Sequence, residues 1–309
     1  MPECYTHAHT GLQALTRSGH TVASHPAFIA GTNGPDPLTF YQGWKSKRKP
    51  DLSVLAKRMH RERTGAFLLA LVENAATPVQ QSYALGFITH YTTDCTLHPY
   101  VVANTAQGAP YAGKNGHRRL EAALDSTLYH RDFKSYQVPL HAGTPVLVTE
   151  DLGQVATLLH DTIAMVYDVD VPLVVLADTF HHNLSIRRQL ISKTGFKRLL
   201  VRLFEPKGKF KGAMSSIVQP AKPLKPLLEK WTNPSTGEGM TLTLNEVLAV
   251  AEQTGALCLT AAMRYWLGEM DAMKLAAIFG NNDYYTGLPC GQQQAQPGQA
   301  PAPQAQKPR

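Results

Sequence analysis

The chain has 309 residues, of which 43% are hydrophobic and 8% aromatic, a composition typical of a globular protein. No run of about 18 apolar residues is present, which excludes an integral membrane protein. The net charge of +7 favours anionic partners or substrates. There are thirteen histidines, and the four cysteines form no Cys-x-x-Cys pair, so any metal site must use histidine and carboxylate ligands.

Apolar residues recur at helical spacing along most of the chain. This spacing predicts one helix over residues 51–73 and a second over residues 77–98, which ends there because the residue before Pro99 avoids helical angles. Further helices are predicted over residues 115–130, 150–167, 170–192, 194–204, 243–268 and 270–280, with a long connecting loop over residues 206–239. Strand alternation is scarce, so the predicted fold class is all-α.

The simplest organisation is one multi-helix domain over residues 1–290. Residues 291–309 are rich in Gln, Pro and Ala and have nothing to bury, which predicts a disordered tail. The first residues lack the charged and apolar regions of a secretory signal, which predicts a cytoplasmic protein for the chain as written. If the chain is a trimmed form, a secreted protein stays open.

Two stripes of side chains combine imidazole with carboxylate at four-residue spacing. They are His90, Asp94 and His98, followed by His117, Glu121 and Asp125. On a helix of 3.6 residues per turn, such residues share one face and can reach a common ion or adjacent ions. This donor set suits zinc, and a carboxylate can bridge two zinc ions in hydrolytic sites.

Three further candidates lie upstream of these stripes. Asp36 stands between two prolines in a loop whose backbone is restricted on both sides, which would present its carboxylate rigidly. His60 precedes an apolar run on a predicted helix. His7 lies on or beside the first helix.

The order of these motifs resembles the bacterial zinc-dependent phospholipase C family. A histidine near the start is followed by G-x-x-G-P-D-P, by M-H before a helix, by A-L-G-F-x-x-H-Y-x-x-D-x-x-x-H-P-Y, and by G-H-x-x-x-E. The resemblance covers about residues 5–125. It implies an all-helical domain around a di- or trinuclear zinc site, an architecture that also occurs in fungal single-strand-specific nucleases.

The resemblance also implies ligand sets for Zn²⁺. A first zinc would lie among Asp36, His60, His90 and Asp94, a second among His98, His117 and Glu121, and a third beside His7 and Asp94. Family members complete the third site with an N-terminal tryptophan, whereas this chain has none before Trp44. The third site is then absent, completed by water, or completed by another group such as His9, which leaves two or three ions.

The implied activity is hydrolysis of a phosphodiester, most simply in a phospholipid, by metal-activated water. Asp36 would orient or deprotonate that water. A nuclease or phosphomonoesterase on the same scaffold is an alternative, because a fold does not fix a substrate. A second alternative is a non-catalytic, zinc-stabilised protein that binds anionic partners.

Nine Lys and Arg residues and one acid lie within residues 187–211, interleaved with phenylalanines. This stretch predicts either docking on an anionic membrane surface, with nucleic acid as the less favoured partner, or simply a solvated helix face and loop. The remaining histidines are predicted to be structural or solvated: His9, His20, His25, His130, His141, His160, His181 and His182.

Overall fold

The structure, a computed structural model, describes residues 4–45, 47–192, 196–204 and 215–291. The predicted tail lies outside the described residues from position 292 onwards. The basic stretch lies outside them at residues 193–195 and 205–211.

The described residues form twelve α-helices and one short β-hairpin, which confirms the all-α prediction. The helices are α1 (Cys4–Ser18), α2 (His25–Gly31), α3 (Pro37–Phe40), α4 (Leu52–Arg61), α5 (Thr64–Asn74), α6 (Pro78–Thr105), α7 (Gly116–Phe133), α8 (Thr149–Tyr167), α9 (Leu173–Leu190), α10 (Phe196–Phe204), α11 (Leu244–Trp266) and α12 (Ala272–Phe279). The hairpin pairs β1 (Trp231–Thr232) with β2 (Gly239–Met240) in antiparallel register. None of the described helices is long and apolar enough to cross a bilayer.

Helix α6 runs through the centre of the bundle, where α1, α2, α7, α8 and α11 all pack against it. It begins with a capping box, in which the side chains of Thr77 and Gln80 each accept a hydrogen bond from the other residue's backbone N–H. Gly31 of α2 and Gly86 of α6 allow the two backbones to touch, since a Cβ on Gly86 would lie 2.0 Å from the carbonyl oxygen of Phe28. Buried residues therefore occur along the whole length of α6.

The predicted end of this helix at His98 is wrong, because α6 continues through Pro99 to Thr105. Proline removes one backbone hydrogen bond, to the carbonyl oxygen of Cys95. That oxygen faces Gly287, where an added Cβ would lie only 2.5 Å from it. Burial of Leu97, Tyr100 and Val101 against the surrounding helices offsets the lost hydrogen bond and keeps the chain helical.

The single helix predicted over residues 51–73 is also wrong, because it is two helices. The chain turns at Glu62, which is extended, and at Arg63, which adopts a left-handed conformation with φ 53°. Two contacts with the end of α8 hold this turn. The hydroxyl of Tyr167 donates to the carbonyl oxygen of Glu62 at 2.9 Å, and the Arg63 guanidinium donates to that of Val166 at 2.7 Å. The break leaves His60 in the last turn of α4.

Candidate metal centre

His90, Asp94 and His98 follow one face of α6 in the middle of the bundle. All three are buried, with at most 1% of each residue exposed. A hydrogen-bonded partner for a buried carboxylate is expected, because an isolated buried charge is strongly unfavourable. The stripe predicted from the spacing is therefore directed into the protein interior.

The other predicted site residues converge on this stripe from four elements. His7 comes from α1, Asp36 precedes the first turn of α3, His60 ends α4, and α7 supplies His117 and Glu121. The side chain of Asp36 makes no capping bond to its own helix, which leaves it directed elsewhere.

Three groups of side chains place one donor atom each within 4.8 Å of one another. They are His7, His90 and Asp94; Asp36, His60 and His90; and His98, His117 and Glu121. All eight residues predicted from the sequence are thus brought together. His90 occurs in two groups. Because only its Nε2 is available and one nitrogen binds one ion, His90 can be a ligand in only one of the two groups.

Asp94 lies between the three groups, close to histidines of each. Its Oδ1 lies 3.3 Å from Nε2 of His7 and 3.7 Å from Nε2 of His98. Its Oδ2 lies 3.1 Å from Nε2 of His90 and 3.8 Å from Nε2 of His60. The two oxygens of one carboxylate therefore face two different sets of imidazoles, as a bridging ligand would.

The imidazoles of His60, His90 and His98 are oriented by backbone carbonyls. Each directs Nδ1 to a carbonyl oxygen, at 2.7, 3.0 and 3.0 Å respectively. The carbonyls belong to Ala56, Thr32 and Tyr284. Because a carbonyl only accepts, Nδ1 must carry the proton, and in a neutral ring Nε2 is then an unprotonated donor atom for a metal.

Several buried polar atoms in the centre have no hydrogen bond within the described part of the chain. They are Nε2 of His60, His90 and His98, Oδ1 of Asp36, Oδ2 of Asp94, and both carboxylate oxygens of Glu121. Leaving one such atom unsatisfied costs about 1–3 kcal/mol. The atoms face one another as acceptors, and a cation between them would satisfy them together, so the donor set fits zinc.

Electrostatics divide the centre into two parts. Burial favours the neutral form of Asp94, but the surrounding imidazoles His98, His90 and His7 outweigh it and hold the pKa of Asp94 well below its usual range. Likewise, burial is outweighed at Asp36, whose pKa is lowered by its histidine neighbours. The part of the centre around Asp94 therefore carries ionised carboxylates.

The third group behaves in the opposite way. Burial raises the pKa of Glu121 to about 8, while burial and the proximity of His98 lower the pKa of His117 to about 3. Nε2 of His117 touches Oε1 of Glu121 without the geometry of a hydrogen bond. In the metal-free protein, burial therefore favours a protonated carboxyl beside a neutral imidazole.

Two neighbouring residues position the ligands without joining a group. Gly34, at φ +53°, packs on the ring of His90, and a Cβ there would lie 2.2 Å from His90 Cδ2. Asp125, the last residue of the second stripe, accepts hydrogen bonds at 2.8 Å from both the backbone N–H and the hydroxyl of Thr6, and at 3.3 Å from the N–H of Tyr5. It thereby anchors the start of α1.

Two aromatic residues at the centre were not predicted from the sequence. Tyr285 stacks on His98 with ring centroids 5.0 Å apart and planes 12° apart, and the Arg61 guanidinium lies 4.8 Å above the Tyr285 ring. Tyr284 contacts His60 edge to face at 5.0 Å. Both tyrosines follow α12, about 150 residues after the end of α7, and carry no spacing signal that links them to the histidines.

The eight histidines predicted to be structural or solvated lie outside all three groups. His9 is directed away from them: its Nδ1 lies 2.8 Å from the Asp132 carboxylate, and its Nε2 lies 2.7 Å from the Arg131 guanidinium. A third site completed by His9 therefore has no support in this arrangement.

Comparison with known protein families agrees with this geometry. The model of the family described as zinc-dependent phospholipase C matches residues 4–165, about half of the chain. The chain belongs to the zinc-dependent phospholipase C family. All eight candidate ligands fall within the residues that match this family, whereas Tyr284 and Tyr285 lie beyond them. No curated protein and no solved structure shows significant similarity to the chain.

Proposed function

We propose that this protein hydrolyses phosphodiester bonds of phospholipids with two or three zinc ions. The observation that carries the proposal is the convergence of eight imidazole and carboxylate side chains on buried, unsatisfied donor atoms. Membership of the zinc-dependent phospholipase C family supports both the metal and the class of bond.

The distances between donor atoms support the following ligand sets. One ion would be held by Asp36, His60 and His90, with Asp94 in reach. A second would be held by His98, His117 and Glu121. A third position beside His7 would share the carboxylate of Asp94, whose two oxygens face different sets of imidazoles.

When bound, zinc supplies Lewis acidity for a phosphodiester anion and lowers the pKa of a water ligand toward about 7. Asp36 is the residue we assign to orient the attacking water and accept its proton, because its neighbours keep it ionised. The side chain of His117 is 34% exposed, whereas those of the other candidate ligands are at most 5% exposed. Substrate would therefore approach the centre from the side of His117.

Hydrolysis of chromogenic esters tests this proposal. Zinc-loaded protein is expected to turn over a nitrophenyl phosphocholine and to lose that activity when a chelator removes the metal. Asp94→Asn should abolish turnover together with zinc binding, and Asp51→Asn, at an exposed helix cap, is the matched control.

Other outcomes discriminate the alternatives. Cleavage of bis-nitrophenyl phosphate or single-stranded DNA without phosphocholine ester cleavage would indicate a nuclease. Activity confined to monoesters would indicate a phosphomonoesterase. Tight zinc binding without turnover of any ester would contradict an enzymatic function and indicate a zinc-stabilised binding protein.

A further inference from the structure

Helix α10 is amphipathic, and its apolar side faces outward. The apolar residues recur at intervals of three and four along nine residues, which puts them on one face. They are Phe196, Leu199, Leu200, Leu203 and Phe204, with exposed fractions of 60, 53, 39, 68 and 84%. A helix of a globular protein normally buries its apolar face, whereas α10 exposes it.

The polar side of the helix holds it to the rest of the protein. The Arg198 guanidinium donates to the carbonyl oxygens of Val218, at 2.5 Å, and Pro220. The ammonium of Lys197 donates to the carbonyl oxygen of Ile191 at 3.4 Å. Lys197 and Arg198 therefore face the rest of the protein, and the apolar face of α10 is directed outward.

A cationic cavity of about 800 Å³ lies alongside the same helix. Its lining includes Lys114, Arg119, Arg198, Arg202, Lys222 and Lys225, and none of the described lining residues is acidic. Tyr111 and Ala123 supply part of the apolar wall. The cavity therefore attracts anions, and it lies immediately beside an exposed apolar face.

We propose that α10 docks the protein on an anionic phospholipid bilayer, with its apolar side chains inserted between lipids and the cavity facing the headgroup phosphates. Charge selects this occupant: α10 itself carries three cations and no carboxylate, and the cavity extends that charge. An apolar face flanked by Lys and Arg is the pattern of interfacial helices, whose affinity combines buried apolar area with attraction to anionic lipids.

This docking surface is connected to the metal centre through α7. Asn115 and Arg119 of the cavity wall are each two residues from His117, the candidate ligand with the largest exposure. The inference rests on the proposed function in taking phospholipid as the substrate. Docking itself can be measured without turnover.

Co-sedimentation with vesicles tests the proposal on the zinc-loaded, full-length protein. Vesicles of phosphatidylcholine alone are compared with vesicles that also contain phosphatidylglycerol, on ice. Wild-type protein should bind the anionic vesicles more tightly, and the difference should decrease with salt. The double substitution Leu203→Glu with Phe204→Glu should weaken binding at least about tenfold, and Arg202→Gln about fivefold on anionic vesicles only.

Leu267→Glu is the matched control, because Leu267 is 67% exposed, as Leu203 is, but lies after α11. It should leave vesicle binding unchanged. A thermal melt of each variant separates loss of docking from loss of folding. A further readout is Phe204→Trp, whose added emission should shift to the blue on anionic vesicles.

Two results would overturn the proposal directly: equal vesicle binding by wild type and the α10 variants, or an equal loss of vesicle binding in Leu267→Glu. A third would be a change of oligomeric state in the α10 variants without vesicle binding by any form. That result would assign the apolar face to a contact with a second copy of the chain. Turnover of a soluble phosphocholine ester is recorded in parallel. Docking without any turnover would reject the proposed function and keep the docking surface. Turnover without docking would reject the docking surface and keep the proposed function.

Discussion

Asp94 is placed so that each of its oxygens serves a different side of the centre. Oδ1 faces His7 and His98, and Oδ2 faces His90 and His60. Since the rings of His60, His90 and His98 are oriented through Nδ1, their Nε2 atoms and the carboxylate oxygens are all acceptors. A proton or a metal must lie between them, and the pKa of His90 is accordingly raised once its carboxylate neighbours outweigh its burial.

Glu121 predicts how zinc binding depends on pH. Its pKa is raised to about 8, whereas that of His117 is lowered to about 3, so only the carboxyl must lose a proton before this group can bind a cation at neutral pH. Zinc affinity of the group should therefore rise about tenfold per pH unit through the neutral range and level off above about pH 8. Chelator competition at several pH values measures this slope.

Glu121→Gln is the control for that measurement. It should bind zinc more weakly at this group and lose this part of the pH slope, because the amide does not titrate. An unchanged slope in the variant would show that Glu121 does not exchange a proton for the metal.

Gly34 predicts a steric requirement at the ring of His90. In Gly34→Ala, the new Cβ would lie 2.2 Å from the ring, so the imidazole must move. We expect loss of the zinc ion that His90 binds and a destabilisation of about 1–3 kcal/mol, measured by metal analysis and by denaturant unfolding.

The matched control is Gly108→Ala. Gly108 also has a positive φ, of +82°, but no atom lies within 4 Å of its added Cβ. It should share the backbone strain and retain zinc. Equal zinc loss in the two variants would contradict the steric explanation.

At the scale of elements, α6 and α7 carry five of the eight candidate ligands, and α1 is fastened to α7 by Asp125. Burial raises the pKa of Asp125 to about 6, because it outweighs the hydrogen bonds from Thr6 and Tyr5. The last carboxylate of the second stripe thus serves as an N-terminal cap, which positions His7 from a distance.

Asp125→Ala should therefore lower the free energy of unfolding by about 1–2 kcal/mol and reduce zinc content at the position beside His7. Asp51→Ala removes another cap, that of α4, where Asp51 accepts from the N–H of Ser53 at 3.1 Å. It should cost a similar free energy without loss of zinc. If Asp125→Ala keeps its full zinc content, as Asp51→Ala should, then Asp125 does not position a ligand of the metal centre.

The sequence predicted those parts of the centre that lie on one helix. His90, Asp94 and His98 share a helix face, so local spacing alone brings them together. Asp36 and His60 could be assigned only through the family resemblance, because tertiary packing of α3 and α4 determines where they lie. The tyrosines at 284 and 285 depend on the same long-range packing and had no local signal.

The errors at helix boundaries have the same origin. Proline is a reliable helix terminator when local preference decides, but packing around Tyr100 carries α6 through Pro99. The turn at Arg63 is likewise held by residues of α8, a hundred positions away in the chain. Tertiary contacts overrode local preference at both positions.

At the scale of the whole molecule, two hydrophobic clusters surround the polar centre. One contains Phe28, Phe67 and Phe87, and the other contains Tyr100 and Trp231. α6 contributes to both clusters. The helical bundle therefore encloses the candidate ligands from several sides, so we expect stability to depend on metal content.

Metal removal should consequently lower the melting temperature. Each zinc present at about 100 times its dissociation constant stabilises the native state by about 2.7 kcal/mol. Two or three ions should raise Tm by many degrees, and chelation should reverse the change, as measured by scanning calorimetry. Chelation of Asp94→Asn should have little further effect. An equal Tm shift in that variant would show that the stabilising metal binds elsewhere.

The most direct test of the central claim is anomalous diffraction at the zinc edge from crystals soaked in zinc and phosphate. We expect two or three peaks around Asp94, with phosphate beside them. One should lie within coordination distance of His60 and His90, and another within coordination distance of His98, His117 and Glu121. Peaks only at other positions, or none among these side chains, would contradict it.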